Sequence, residues 1–485
     1  MTPSEPLPPD LTDARVFPAG FVWGAATASY QIEGAVAEDG RTPSIWDTFS
    51  HIPGKIRNDD TGDVAADHYH RMASDVALMA DLGLAAYRFS ASWTRILPHG
   101  GTTVNPAGVD FYSRLVDELL AHDINPLITL YHWDLPQELQ DIGGWTNRVT
   151  AQKFADYATV LATALGDRIP TWTTMNEPWC AAYLGYGAGV HAPGITDKAS
   201  ALSAVHHLNL GHGLATSALR AALPSTGQVS ITHNLANVRA ASGSVADLGA
   251  ARLAEGLSNR VFLNPIMEGF YPQDVIDDTA DITDWSFVQD GDLAAINQPI
   301  DVLGVNYYSP ALVAAATDEL RSAQGGRWSN DPNRTPGPTA YPGTDRIFSL
   351  PQPGPYTDMG WPIEPASLRE LLEYVHDLYP ELPLVITENG SAWPDEVTAD
   401  GEVHDQGRID YLDGHLRAVH DAISHGVDVR GYYAWSLMDN FEWAFGYGKR
   451  FGLVHIDYET QVRTVKDSGR LFRQIITDNG LPASL

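Results

Sequence analysis

Cysteine is almost missing from this chain. The one thiol, Cys180, has no partner for an intramolecular disulfide, so no disulfide framework holds the fold and a reducing compartment suits it. Basic residues are scarce too. Lys and Arg number 30 against 61 Asp and Glu, a net charge of -31, which disfavours nucleic acid and anionic membrane as partners. No apolar run approaches membrane-spanning length. The opening stretch, MTPSEPLPPDLTDARVF, is polar and proline-rich and lacks the apolar centre of a secretory signal. There is no Walker-type loop and no GxGxxG turn opening a helix. His68 and His70, or His206 and His207, lack the accompanying cysteines or acidic spacing of a ligand set, so no metal site is expected. These absences lead to a soluble, cytoplasmic protein whose negative charge either favours neutral or cationic substrates or simply keeps it in solution.

What is present points to a large core. Hydrophobic residues make up 44%, and 13 Trp and 20 Tyr supply material for aromatic clefts. A chain of 485 residues has room for two or three domains, but an elaborated α/β barrel can exceed about 400 residues as one unit. Strand-like and helix-like stretches alternate, which argues for a parallel sheet. The predicted strands are residues 21–30, 86–93, 126–131, a run around Trp172, 228–234, 302–308, 384–387 and 430–436. Helical periodicity falls between them, at 67–82, 106–122, 151–165, 200–222 and 246–262. Eight strands are the number of a closed (β/α)8 barrel. Residues 1–16 read as a flexible lead-in and 17–485 as one barrel domain. The Gly-, Pro-, Asn- and Asp-rich stretch 311–365 reads as an elaborated loop walling the barrel mouth.

The stretch LVITENG, residues 384–390, organises the reading. Three aliphatic residues suit a strand covered on both faces. The run then stops at Thr387 and presents Glu388 before an Asn-Gly turn signal. Active-site residues of parallel barrels sit at such carboxyl ends. A lone glutamate there is better explained as a solvated residue at a strand end. However, TWTTMNEP, residues 171–178, repeats the grammar with Glu177. Two carboxyls facing each other across a barrel mouth are the minimal equipment for cutting a glycosidic bond.

Other strand ends carry groups suited to sugar hydroxyls and sugar C–H faces. They are Gln31 after the first strand, Arg88 and Trp93 in the second, His132 and Trp133 after the third, Asn176 in the fourth, Asn306 and Tyr308 in the sixth, and Trp435 in the eighth. Singly, each is explained by packing or capping. As a set at strand ends, chance explains them poorly.

With these residues in hand, the chain resembles glycoside hydrolase family 1, the group that includes bacterial β-glucosidases. The likeness runs from about residue 17 to the end. It rests on FVWGAATASYQIEG, YRFSASWTRI, YHWDLPQ, NEPWC, NYY, VITENG and YAWSLMDNFEWAFGYGKRFGLVHIDY, in that order. The resemblance implies a (β/α)8 barrel that hydrolyses β-glycosides with retention and without a cofactor. It implies that Glu177 is the acid/base and Glu388 the nucleophile. Arg88 and Tyr308 occupy the positions that keep the nucleophile ionised. The acid/base must start protonated, as burial and a negative neighbour would ensure. Retention further requires carboxyls roughly 5 Å apart.

By the same resemblance Gln31, His132, Trp133, Asn176, Asn306, Glu442, Trp443 and Phe451 surround the sugar, with Trp435 stacked beneath it. Asn176 would hold the 2-hydroxyl. Trp179 and Trp361 match aromatic positions of the leaving-group subsite, or are ordinary rim aromatics; both readings stay open. Cys180, close by, reads as a small buried apolar residue.

Glu442 bears on the substrate. Branches of the family acting on 6-phosphorylated sugars replace this region with a serine and a basic-aromatic clamp. A carboxylate here would repel phosphate, although Lys449 and Arg450 lie nearby. The reading is a β-glucosidase acting on short cello-oligosaccharides and aryl or alkyl β-glucosides. The alternatives are a β-galactosidase or β-fucosidase of the same family, a transglycosylase, and a non-catalytic sugar-binding relative. Both glutamates being present speaks against the last. Oligomeric state is not readable from the sequence.

Overall fold

The computed structural model describes residues 14–317, 342, 343 and 345–483. Eight strands close into a barrel: β1 Val22–Ala26, β2 Ala86–Ser90, β3 Asn125–Tyr131, β4 Thr171–Asn176, β5 Gln228–Asn234, β6 Val302–Asn306, β7 Leu384–Asn389 and β8 Val429–Trp435. Every neighbouring pair is parallel, and β8 returns to β1 through Tyr432 opposite Trp23. Both faces of these strands are covered, which is why stretches such as Leu127–Leu130 of β3 and Leu384–Ile386 of β7 read as apolar runs rather than alternating ones.

Helices pack around the barrel, and their starts are written locally. Asn105 accepts a hydrogen bond from the Ala107 amide just before Pro106 opens Pro106–Ala121. Asn147 and Asp197 cap Arg148–Leu165 and Lys198–Ala222 in the same way. Asp467–Asp478 buries Ser468, Gly469, Phe472 and Ile475, one stripe at helical spacing.

All eight expected strands are present, with shifted ends. The first stops at Ala26, and the chain turns into a short helix, Ser29–Ile32, that carries Gln31. The second stops at Ser90. Trp93 opens the helix Trp93–Ile96 and stacks in the core on Tyr157, 5.0 Å between ring centres, away from the mouth. The seventh passes Thr387 and ends only at Asn389. Gly390 is explained by close approach: a Cβ there would lie 1.7 Å from the Trp435 carbonyl oxygen. That approach brings the ends of β7 and β8 together, and with them Glu388 and Trp435.

The expected lead-in lies outside the described residues up to residue 13. Arg15–Val16, assigned to it, instead pair antiparallel with Leu481 and Gly480. Part of the expected irregular loop, residues 318–341 and 344, is likewise outside. Its described part is irregular over 350–364, apart from an isolated bridge between Tyr356 and Pro362, but not throughout. Ala311–Ala315 and Ile347–Ser349 join Val238–Ala240 in a small sheet beside the mouth.

Candidate active site

At the carboxyl end of the barrel lies a cavity of about 390 Å3. Glu177, just past the end of β4, and Glu388, on β7, both border it. Each glutamate is buried, and the two environments differ.

Both oxygens of Glu388 accept hydrogen bonds. Arg88 Nη1 donates to Oε1 at 2.5 Å and the Tyr308 hydroxyl to Oε2 at 2.7 Å. A guanidinium and a hydroxyl thus converge on one carboxylate with charge-assisted hydrogen bonds. Glu177 has only neutral donors. Asn306 Nδ2 lies 2.7 Å from Oε1, and the Cys180 thiol 3.3 Å from Oε2. Burial, and then the charge of Glu388, push the Glu177 carboxyl up to about 8.

Asparagines bind the two halves together. Thr387 Oγ1 donates to Asn306 Oδ1 at 2.7 Å, which turns the Asn306 amide nitrogen toward Glu177 and toward Asn176 Oδ1, 3.0 Å away. Asn176 Oδ1 also accepts from Arg88 Nη2 at 2.6 Å. With Oδ1 held by two donors, the Asn176 amide nitrogen faces His132 Nε2 at 3.0 Å. Burial, and then the Arg88 charge, hold the His132 imidazole well below its usual range, so it is neutral. Nε2 is its acceptor, and Nδ1–H remains a buried donor with no protein partner.

Two further buried oxygens lack protein partners, Gln31 Oε1 and Glu442 Oε2. Gln31 spends its amide nitrogen on Asn440 Oδ1 and the Phe441 carbonyl. Such groups are costly unless a ligand's hydroxyls meet them. Aromatic rings supply the remaining wall. Trp435 lies nearly parallel to His132, and Trp443 packs on Trp133 with 4.7 Å between ring centres. Trp133, Glu177 and Trp443 have φ of 76°, 45° and 48°. Left-handed backbone at bulky residues costs on the order of 1–3 kcal/mol each and clusters where side-chain placement matters.

The fifteen residues expected at the site come together. Glu177, Glu388, His132, Trp133, Asn306 and Tyr308 line the cavity with Trp435, Glu442, Trp443 and Phe451. Trp179 and Trp361 line it as well, Trp361 packing against Tyr308 at 5.2 Å. Gln31, Arg88 and Asn176 stand behind the wall, joined to it by the bonds above. Reading the sequence missed Asn234, His191 and Phe445 on the lining, and it took Cys180 for an apolar residue although its thiol meets Glu177. Asn234 was findable: it ends β5 as Asn176 ends β4 and Asn306 ends β6. His68 and His206 pair with Asp75 and Asp292. No group of three or more His, Cys, Asp or Glu among the described residues could hold a metal ion.

Glu442 is pushed up to about 8 by burial, and then by Glu388 and Glu177. Unfolded, it would ionise near 4.5. The folded chain therefore keeps a proton that the unfolded chain gives up, and this contribution to stability is lost as pH rises from about 4.5 to about 8. Glu442→Gln is expected to raise the thermal midpoint over the parent more near pH 8 than near pH 5. An equal difference at both pH values would contradict it.

Two carboxyls facing one aromatic-walled cavity at the carboxyl end of a (β/α)8 barrel, one beside a guanidinium and one kept protonated, define a glycoside hydrolase. The family profile described as glycosyl hydrolase family 1 matches residues 13–481, and the chain belongs to that family. It is 52% identical over 472 residues to a bifunctional β-D-glucosidase/β-D-fucosidase of Bifidobacterium breve, covering 96% of this chain and 99% of that protein. The crystal structure of a psychrophilic β-glucosidase from Micrococcus antarcticus superposes with a TM-score of 0.92 at 47% identity, covering 96% of this chain and 98% of that one. The family 1 β-glucosidase of Thermotoga maritima in complex with isofagomine lactam gives 0.88 at 44% identity, over 97% and 100% of the two chains.

Proposed function

We propose that the protein is a retaining β-glucosidase that releases terminal β-D-glucosyl residues from short cello-oligosaccharides and aryl or alkyl β-glucosides. Glu388 acts as nucleophile and Glu177 as acid/base. The observation that carries this is the contrast between the two carboxyls: Arg88 and Tyr308 on one, burial and neutral donors on the other.

In the first half-reaction a Glu388 oxygen attacks the anomeric carbon from the α face. The bond to the leaving oxygen breaks, and Glu177 gives that oxygen its proton. The ester then formed removes the Glu388 charge that held Glu177 protonated. Glu177 now takes a proton from water, which attacks the same carbon from the β face and releases β-glucose. Asn176, fixed by Arg88, Asn306 and His132, is placed to hold the 2-hydroxyl, a contact that strengthens toward the transition state. Trp179 and Trp361 line the leaving-group side.

The sugar is unphosphorylated in this reading. Both cations near Glu442 are already committed and are not free for a phosphate, Lys449 to Asp358 and Arg450 to Asp439. β-Fucosides form the second substrate class, favoured by the activities named for the Bifidobacterium breve relative. A cytoplasmic location belongs to the same proposal, and the buried free thiol is compatible with it. No described helix is long and apolar enough to cross a membrane.

A rate panel tests the reading: aryl β-glucoside, β-galactoside, β-fucoside and 6-phospho-β-glucoside, with the product anomer followed by NMR. Fast cleavage of the β-glucoside with β-glucose appearing first is expected. Preference for the phosphorylated sugar would overturn the substrate and leave the two glutamates in place. Cleavage of no member would overturn the enzyme reading.

A further inference from the structure

The chain's one cysteine opens the π-helical turn Cys180–Gly187, three residues beyond Glu177. Its sulfur lies 3.3 Å from Glu177 Oε2. From the end of β5, Asn234 Nδ2 lies 3.6 Å from the same sulfur. An amide nitrogen is only a donor, so it occupies the sulfur's acceptor side and leaves the thiol hydrogen to the carboxyl. The other oxygen, Oε1, is met by Asn306 at 2.7 Å. Each oxygen of Glu177 therefore has one neutral donor, one from the end of β6 and one from the helical turn that follows β4. Burial, and then the Glu177 charge, hold the thiol well above its usual range, so it stays S–H, a standing donor and a poor nucleophile.

We propose that Cys180 is a positioning residue for the acid/base: its S–H, backed by Asn234, holds Oε2 of Glu177 and favours the carboxylate, the form required when water is activated. The proposal rests on the assignment of Glu177 as acid/base. The charged and titratable groups facing Glu177 are Glu388, Arg88, Glu442, Tyr308 and Cys180 itself. Glu388 opposes its ionisation, and Arg88 aids it. In the glycosyl-enzyme the Glu388 charge is gone, and the donors from Asn306 and Cys180 keep Glu177 a base. Losing the thiol therefore hurts the second half-reaction more than the first.

The test compares Cys180→Val, close in size but without a donor, with Cys180→Ser, which keeps one. For Cys180→Val the alkaline limb of kcat/KM on an aryl β-glucoside is expected to move up by about half a pH unit. The kcat on a dinitrophenyl β-glucoside, where release of the sugar limits, should fall about three- to tenfold. Cys180→Ser should restore both. An unchanged alkaline limb with loss confined to KM would make Cys180 plain cavity wall and overturn the proposal. Should Cys180→Val fail to fold, Asn234→Ala carries the test, with a smaller shift in the same direction; no shift there overturns it equally. Failure of the underlying reading looks different: the parent would lack β-glucosidase activity, or Glu177→Ala would retain it on unactivated substrates.

Discussion

Glu388→Ala is expected to lower kcat on cellobiose and aryl β-glucosides by about six orders of magnitude, the scale seen when a covalent nucleophile is removed. The substitution deletes the atom that forms the glycosyl bond and leaves Arg88 and Tyr308, its two partners, facing a gap. A small anion fits the chemistry of that gap, since a guanidinium and a hydroxyl already converge there. Azide should therefore restore turnover. It attacks from the α face while Glu177 still protonates the leaving oxygen, so the product is the α-glycosyl azide. Arg88 is buried and would keep Asn176 as its side-chain partner. An uncompensated buried charge destabilises by about 3–5 kcal/mol, so Glu388→Gln, which preserves the volume, serves as the folding control. Cellobiose hydrolysis at the parent rate in Glu388→Ala would remove Glu388 from the mechanism.

The barrel and the two glutamates were readable because both are local signals. An apolar run that ends in a carboxylate before a turn residue marks a strand end whatever the partner, and eight strand-like runs between helical periods leave few topologies. Misjudged features depend on residues far apart in the chain. Trp93 looked like a continuation of β2 until Tyr157, on another helix, was seen to stack on it. Gly390 looked like a turn, yet its smallness answers to the Trp435 carbonyl. Cys180 looked apolar because nothing in NEPWC tells that the next helical turn brings the thiol back to the carboxyl. The hub role of Asn306 joins β6 to Thr387 of β7 and Glu177 of β4, a relation no spacing encodes. Arg15 and Val16 looked like part of a loose tail because their strand partner is the far end of the chain.

Glu177→Ala should behave unlike Glu388→Ala, and the difference identifies the two roles. A positioned acid contributes about 10^2- to 10^4-fold. That loss is expected in full for cellobiose, whose leaving oxygen needs a proton. For a dinitrophenyl β-glucoside, which leaves unaided, the first half-reaction is spared. The glycosyl-enzyme should then accumulate, because no base activates water, and a burst of phenolate should precede slow turnover. Azide needs no base, so it should relieve the block, attack from the β face and yield the β-glycosyl azide. The pH profile provides an independent check. In the parent, the Glu177 carboxyl at about 8 is protonated below that pH, so kcat/KM falls as pH rises through it. Glu177→Ala lacks this group, so the part of the alkaline fall that it causes should disappear, leaving only what Glu442, also at about 8, contributes. Opposite anomers of one azide product from two single substitutions would require the carboxyls to stand on opposite faces of the same sugar. The same anomer from both would break the assignment, whichever variant was slower.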